Sequence, residues 1–192
     1  FNPKNVEGMM DQTRGGDFWF DQFTEPRVVS VMVDCLGPNL DFHNGKVRNK
    51  PPGFGATQGW HQDWPYERHS VPELAAAITY LDPTDFEAGA TEVIPGSHRD
   101  VLPTAEGTSV LVQEDVDESR RIVARVEAGD VIIIHVQVVH RAGRNYTKRS
   151  RNAIINEYKT AEAIDDWNNR CAFAGLPLAR GGKLLMPRLT AA

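Results

Sequence analysis

The stretch Ala128-Gly129-Asp130-Val131-Ile132-Ile133-Ile134-His135-Val136-Gln137-Val138-Val139-His140-Arg141-Ala142-Gly143 decides the fold. Turn residues open and close it. Between them lie two short β-type runs, each too brief for a buried helix and each ending in a histidine. The same texture extends outward. Strands are predicted near 39–49, 58–63, 74–82, 90–94, 108–113, 121–126, 130–136, 137–142 and 151–158, punctuated by Pro51-Pro52-Gly53-Phe54-Gly55, Asp82-Pro83, Pro95-Gly96-Ser97 and Gly143-Arg144-Asn145. Upstream, residues 26–36 read as a helix: Pro26 suits the first turn and Gly37-Pro38 ends it. Many short strands behind one helix predict a mainly β sandwich or jelly roll.

The 192 residues suit one domain: 1–37 as irregular lead-in plus helix, 38–160 as the core, 161–192 as a tail wrapped on the surface. Phe1 is not a start methionine, and part of the natural N-terminus is expected to precede it. Hydrophobic residues make up 41% and charged residues 24%, which excludes a disordered or fibrous chain. Runs such as Val131–Ile134 are far too short to cross a bilayer, so no membrane partner is expected. Cys35 and Cys171 are too few and too distant for a disulfide scaffold and suit a reducing, cytoplasmic setting. A net charge of −5 argues against a nucleic-acid-binding surface. Oligomeric state is not legible.

Six histidines are present, and two open an H-x-D triplet: His61-Gln62-Asp63 and His98-Arg99-Asp100. On a strand, residues i and i+2 share a face, so one nitrogen and one carboxylate oxygen can grip the same ion. A third ligand from another strand completes the two-histidine, one-carboxylate face of a non-haem iron site. With fourteen aspartates, a chance triplet is nearly expected, so context decides. His61-Gln62-Asp63 lies between Trp60 and Trp64 in a strand-like setting. His98 follows a Pro-Gly-Ser turn and reads as a side chain that ties the turn. For the distal ligand, His140 stands where a strand meets a basic turn, whereas His135 inside an apolar run reads as a satisfied core histidine. Arg141, Arg144, Lys148, Arg149 and Arg151 form a basic run. Most read as a solvated turn. Arg151 opens the apolar strand Ala153-Ile154-Ile155 and can point inward to hold a diacid at its far carboxylate; Arg149 is its competitor. Trp64, Tyr66 and Phe54 either line an apolar pocket or pack the core, the commoner role.

Trp60-His61-Gln62-Asp63-Trp64, Gly89-Ala90-Thr91-Glu92-Val93-Ile94-Pro95-Gly96-Ser97-His98-Arg99, Gly129-Asp130 through His135, Val138-Val139-His140 and Asn145 through Arg151 occur in that order. Together they resemble the phytanoyl-CoA dioxygenase family of Fe(II)- and 2-oxoglutarate-dependent oxygenases over about residues 26–160. The resemblance implies a double-stranded β-helix, cupin-like, with flanking helices. It implies His61, Asp63 and His140 as iron ligands and Arg151, eleven residues after the distal histidine, as the 2-oxoglutarate anchor. It implies O2-dependent oxidation, most simply hydroxylation, of a small-molecule substrate such as a natural product or lipid-like compound, with release of succinate and CO2. Two departures stand out: Ala142 replaces a small hydroxyl residue, and Ile78 replaces a tryptophan. Asp63 argues against a halogenase, and a cupin-like isomerase would prefer more histidines and no anchoring arginine. The alternative is a metal- or ligand-binding jelly roll without turnover.

Overall fold

The two longest strand-patterned stretches pair with each other near the centre of the molecule. The computed structural model describes residues 8–53, 58–67, 69–105, 110–165 and 171–188. In chain order it contains β1 (Gly8–Met10), α1 (Asp17–Phe23), α2 (Pro26–Leu36), β2 (Leu40–Lys50), β3 (Gln58–His61), α3 (Trp64–Glu67) and β4 (Leu74–Tyr80). There follow β5 (Thr91–Val93), β6 (Ile122–Val123), β7 (Val131–His135), β8 (His140–Ala142), β9 (Arg151–Thr160), β10 (Pro177–Arg180) and β11 (Lys183–Leu184). Two antiparallel sheets result. The large one runs β11-β10-β2-β9-β4-β7, with β1 also paired to β2; the small one runs β3-β8-β5-β6. This is the mainly β jelly roll expected from the pattern, in the cupin-like form that the resemblance implies.

Ala76, Ile78, Tyr80, Ile134 and Ala153 form one buried cluster on the large sheet. A second cluster is built with the helices. α2 buries Val29, Met32 and Leu36 on one face, at the spacing of an amphipathic helix. Phe20 and Phe23 of α1 join Phe42, Tyr158 and Leu178 there, and Phe23 stacks on Phe42 with ring centroids 4.0 Å apart. Pro26 opens α2, the Glu25 side chain accepts from Arg27 N–H, and Gly37 ends the helix at φ 107°. That is a left-handed backbone which glycine adopts without steric cost.

Both ends of the chain contribute more than expected. Residues 8–10, placed in an irregular lead-in by their composition, pair in register with Lys46, Val47 and Arg48. The C-terminal segment is not a mere surface tail: β10 pairs with β2, and Leu178 and Ala179 are buried. The physical reason is the same in both cases. One edge of β2 is left open by β9, and unpaired backbone groups recruit a further strand. The strand expected near 108–113 lies partly outside the described residues, and Leu111 makes an isolated bridge with Thr104. Among the described residues no helix is long and apolar enough to cross a membrane.

Candidate active site

β3 and β8 are neighbours in the small sheet, and His61 pairs directly opposite His140. Their rings lie 4.1 Å apart between centroids. Asp63 is not on the strand, contrary to the i, i+2 expectation. β3 ends at His61, and a bend carries the chain into α3. Two anchors hold that bend. Asp63 N–H donates to Val136 O at 2.9 Å. The Gln62 side chain is fully buried, donates to the carbonyls of Asp100 (2.7 Å) and Gln137 (2.6 Å), and accepts from Leu102 N–H at 2.9 Å. Gln62 therefore positions the pair, a role the H-x-D pattern does not reveal because its middle residue carries no ligand atom. Asp63 Oδ1 lies 3.5 Å from His61 Nε2, and its Oδ2 lies 3.7 Å from His140 Nε2.

The donor set fits a divalent metal such as iron. One ligand atom from each of the three residues lies within 4.8 Å of the others. His61 Nδ1 faces Gly59 O at 2.9 Å and His140 Nδ1 faces Val138 O at 2.8 Å. A ring that donates its Nδ1–H to a carbonyl presents an Nε2 lone pair, and here both Nε2 atoms face Asp63. Burial lowers the pKa of His140, outweighing the opposing pull of Asp63, so the imidazole favours its neutral, ligating form. Burial alone would raise Asp63, but His140, the His61 contact and Lys46 outweigh it and hold the carboxyl well below the usual range.

The competing residues sit elsewhere. His98 is exposed in a short 3-10 turn, and neither it nor Asp100 belongs to any three-ligand cluster among the described residues. The turn is tied by Ser97 instead: its hydroxyl donates to Ile94 O at 2.7 Å and accepts from Val139 N–H at 2.8 Å. His135 ends β7 in the large sheet and is half-buried beside His98, with rings 5.8 Å apart, rather than held in the core. The five-residue spacing from His140 spans a change of sheet, not a single strand.

Arg151 is 4% exposed, at the start of β9. One guanidinium nitrogen donates to Gly89 O at 3.1 Å, and the group lies 5.5 Å over the Tyr80 ring. Its Nε has no hydrogen-bond partner, and among the described residues no carboxylate pairs with it. Burial pulls its pKa down from the ordinary arginine value. A buried cation of this kind calls for an anion. Arg149, by contrast, is exposed. The loop before Arg151 is fixed by Asn145, which is fully buried and donates to the carbonyls of Lys50 and Arg149. Arg141 is engaged by Glu92 at 3.1 Å and covers the Trp60 ring.

His61, Asp63, His140 and Arg151 line one cavity of about 350 Å³. Ala76, Ile78, Ile134 and Ile155 give it an aliphatic wall. Ala142 is also at the wall, and Thr91 sits opposite it across the strand pair. The Thr91 hydroxyl lies 2.7 Å from Tyr80 Oη. Trp64 packs with Leu74, Val136 and Ala163, the Tyr66 ring meets the His61 ring edge-on at 6.5 Å, and Phe54 lies outside the described residues.

The fold is that of iron- and 2-oxoglutarate-dependent oxygenases. It superposes on the non-heme α-ketoglutarate-dependent epimerase SnoN of nogalamycin biosynthesis with a TM-score of 0.73 and 21% identity, over 96% of this chain and 74% of that one. The chain belongs to the phytanoyl-CoA dioxygenase family, whose sequence profile matches residues 4–153. A probable α-ketoglutarate-dependent hypophosphite dioxygenase of Stutzerimonas stutzeri is 29% identical over 71% of this chain and 51% of its own length. The peroxisomal phytanoyl-CoA dioxygenase of Mus musculus is 31% identical over 71% of this chain and 44% of its own. The chain thus spans about half the length of the curated relatives it matches.

Proposed function

We propose that this chain is an Fe(II)- and 2-oxoglutarate-dependent dioxygenase that hydroxylates a small organic molecule. In this reading His61, Asp63 and His140 hold the iron and Arg151 holds the far carboxylate of 2-oxoglutarate. The observation that carries it is the buried, anion-seeking Arg151 in the same cavity as the three ligands. The relatives bear names for hypophosphite and phytanoyl-CoA, and the solved neighbour for an epimerisation, so membership of the family leaves the substrate open.

Iron and 2-oxoglutarate together supply the oxidising chemistry: O2 and 2-oxoglutarate are consumed, succinate and CO2 leave, and one oxygen atom goes to a substrate C–H bond. The protein's part is placement. The paired carbonyls of Gly59 and Val138 keep both imidazoles in the ligating tautomer. The Arg151 fork donates to a carboxylate bidentately and fixes the cosubstrate's direction along the aliphatic wall. Thr91 supplies the hydroxyl that Ala142 lacks. Tyr80 Oη accepts from Thr91 N–H at 3.4 Å and can donate its own proton to Thr91 Oγ1, which leaves the threonine proton for a cosubstrate carboxylate.

The test is mass spectrometry of a metabolite extract incubated with the protein, Fe(II), 2-oxoglutarate and O2. A compound that gains one oxygen, with succinate formed alongside it, is the expected result. Succinate formation that is absent under every condition, or that proceeds equally without iron, would refute the reading.

A further inference from the structure

The cavity has a charge pattern that neither iron nor 2-oxoglutarate uses up. β2 alternates, so Lys46, Arg48 and Lys50 share a face, and all three line the cavity together with Arg151. Asp63 and Glu157 are the carboxylates of the same lining. Four cations against two anions leave two positive charges in excess. Ferrous iron and the 2-oxoglutarate dianion cancel each other, so loading the site leaves that excess in place. The chain as a whole carries −5. A basic cleft in an acidic protein is a local feature that focuses its field on an anion.

Three of the four cations have assigned partners. Lys46 Nζ lies 2.6 Å from Glu157, and Asn44 also donates to that carboxylate. Lys50 Nζ donates to the carbonyls of Ala142 and Gly143. Arg151 takes the far carboxylate in the proposed reading. Arg48 is different: it is exposed at the rim, and among the described residues no hydrogen-bond acceptor or carboxylate engages its guanidinium. In register it stands opposite Ala153, two residues along the strand from the Lys50–Arg151 pair and two from the Lys46–Ile155 pair. It therefore lies beside the cosubstrate path, on the strand outside β9.

We propose that the substrate is a small anion, carrying a carboxylate or phosphonate that Arg48 binds at the cavity rim. This rests on the dioxygenase reading and narrows it: the guanidinium fork holds the oxyanion and leaves the rest of the molecule facing the His61, Asp63 and His140 group. The test is calorimetric titration of ethylphosphonate, propionate and the neutral isostere propanamide into protein loaded with Ni(II) and 2-oxoglutarate, alongside 2-oxoglutarate titrations of Ni(II)-loaded protein. Wild type, Arg48→Gln and Arg48→Lys are compared at two salt concentrations.

The expected result is that at least one anion binds, that salt weakens it, and that propanamide does not bind. Arg48→Gln should weaken the anion by about tenfold or more and Arg48→Lys by less, with 2-oxoglutarate affinity kept within about twofold. Whichever of the two anions binds more tightly names the oxyanion. Equal binding of propionate and propanamide, no anion binding, or an unchanged anion affinity in Arg48→Gln would overturn the proposal while leaving the dioxygenase reading intact. A loss of 2-oxoglutarate affinity in Arg48→Gln would transfer Arg48 to the cosubstrate and overturn it too. Failure of wild type to bind 2-oxoglutarate at all would remove the dioxygenase reading itself.

Discussion

In the proposed site His61, Asp63 and His140 are the three protein ligands and the remaining coordination positions go to cosubstrate and O2, so none of the three is redundant. Each of His61→Ala, Asp63→Ala and His140→Ala is expected to lose most bound iron, read as metal per protein after desalting, while His98→Ala and Asp100→Ala keep it. Iron retained in His61→Ala but lost in His98→Ala would reverse the choice of triplet. Thr91 provides a second test. Thr91→Val removes one hydroxyl at constant shape and should raise the 2-oxoglutarate concentration for half-maximal succinate formation by roughly tenfold, the loss of one hydrogen bond to a charged group. An unchanged requirement would mean that Ala142 has no substitute. The histidine and arginine candidates were legible because each choice turns on local context: His98 follows turn residues, and Arg151 starts an apolar run. Thr91 and Gln62 were not, because their roles depend on a cross-strand neighbour and on a buried bend that spacing alone does not encode. Arg48 was equally hidden, since its partner-free state is a property of the assembled cavity.

At the level of elements, the sequence shows strands where β-branched residues meet turn residues, and it places α2 from Pro26 and Gly37 alone. It misses α1, whose Phe20 and Phe23 are buried at three-residue spacing but follow the Gly15-Gly16 pair that reads as loop. It also misses the roles of β1, β10 and β11, short strands that form because β2 offers them an edge and not because their own residues demand it. Asp63 illustrates the same limit: period-two logic puts it on the strand face of His61, whereas β3 stops at His61 and a bend brings the carboxylate to the two rings. The C-terminal strands can be tested directly. Leu178 is 1% exposed against the α1 and α2 cluster, so Leu178→Ala should destabilise the fold by about 2–5 kcal/mol in denaturant unfolding. A loss below about 0.5 kcal/mol would return this segment to the status of a surface tail.

For the whole molecule, two sheets bring residues from four distant parts of the chain to one cavity: β2 carries the basic face, β3 and its bend carry His61 and Asp63, β8 carries His140, and β9 carries Arg151. α1 and α2 pack on the large sheet through Phe42, Ala75, Ala77 and Tyr158, while Ala76, Ile78 and Ile134 of the same sheet form both a buried cluster and the cavity wall. The central claim is that Arg151 is the cosubstrate anchor in a working oxygenase. Its most direct test is a 2-oxoglutarate titration of succinate formation for wild type, Arg149→Ala, Arg151→Ala and Arg151→Lys, with bound iron measured on each protein. Removing one partner of a buried ion pair costs about 3–5 kcal/mol, so Arg151→Ala should raise the 2-oxoglutarate requirement roughly a hundredfold or more with iron still bound. Arg151→Lys should recover only part of this, since an ammonium lacks the fork, and Arg149→Ala should behave as wild type. Equal damage from Arg149→Ala and Arg151→Ala, or damage from Arg149→Ala alone, would contradict the account.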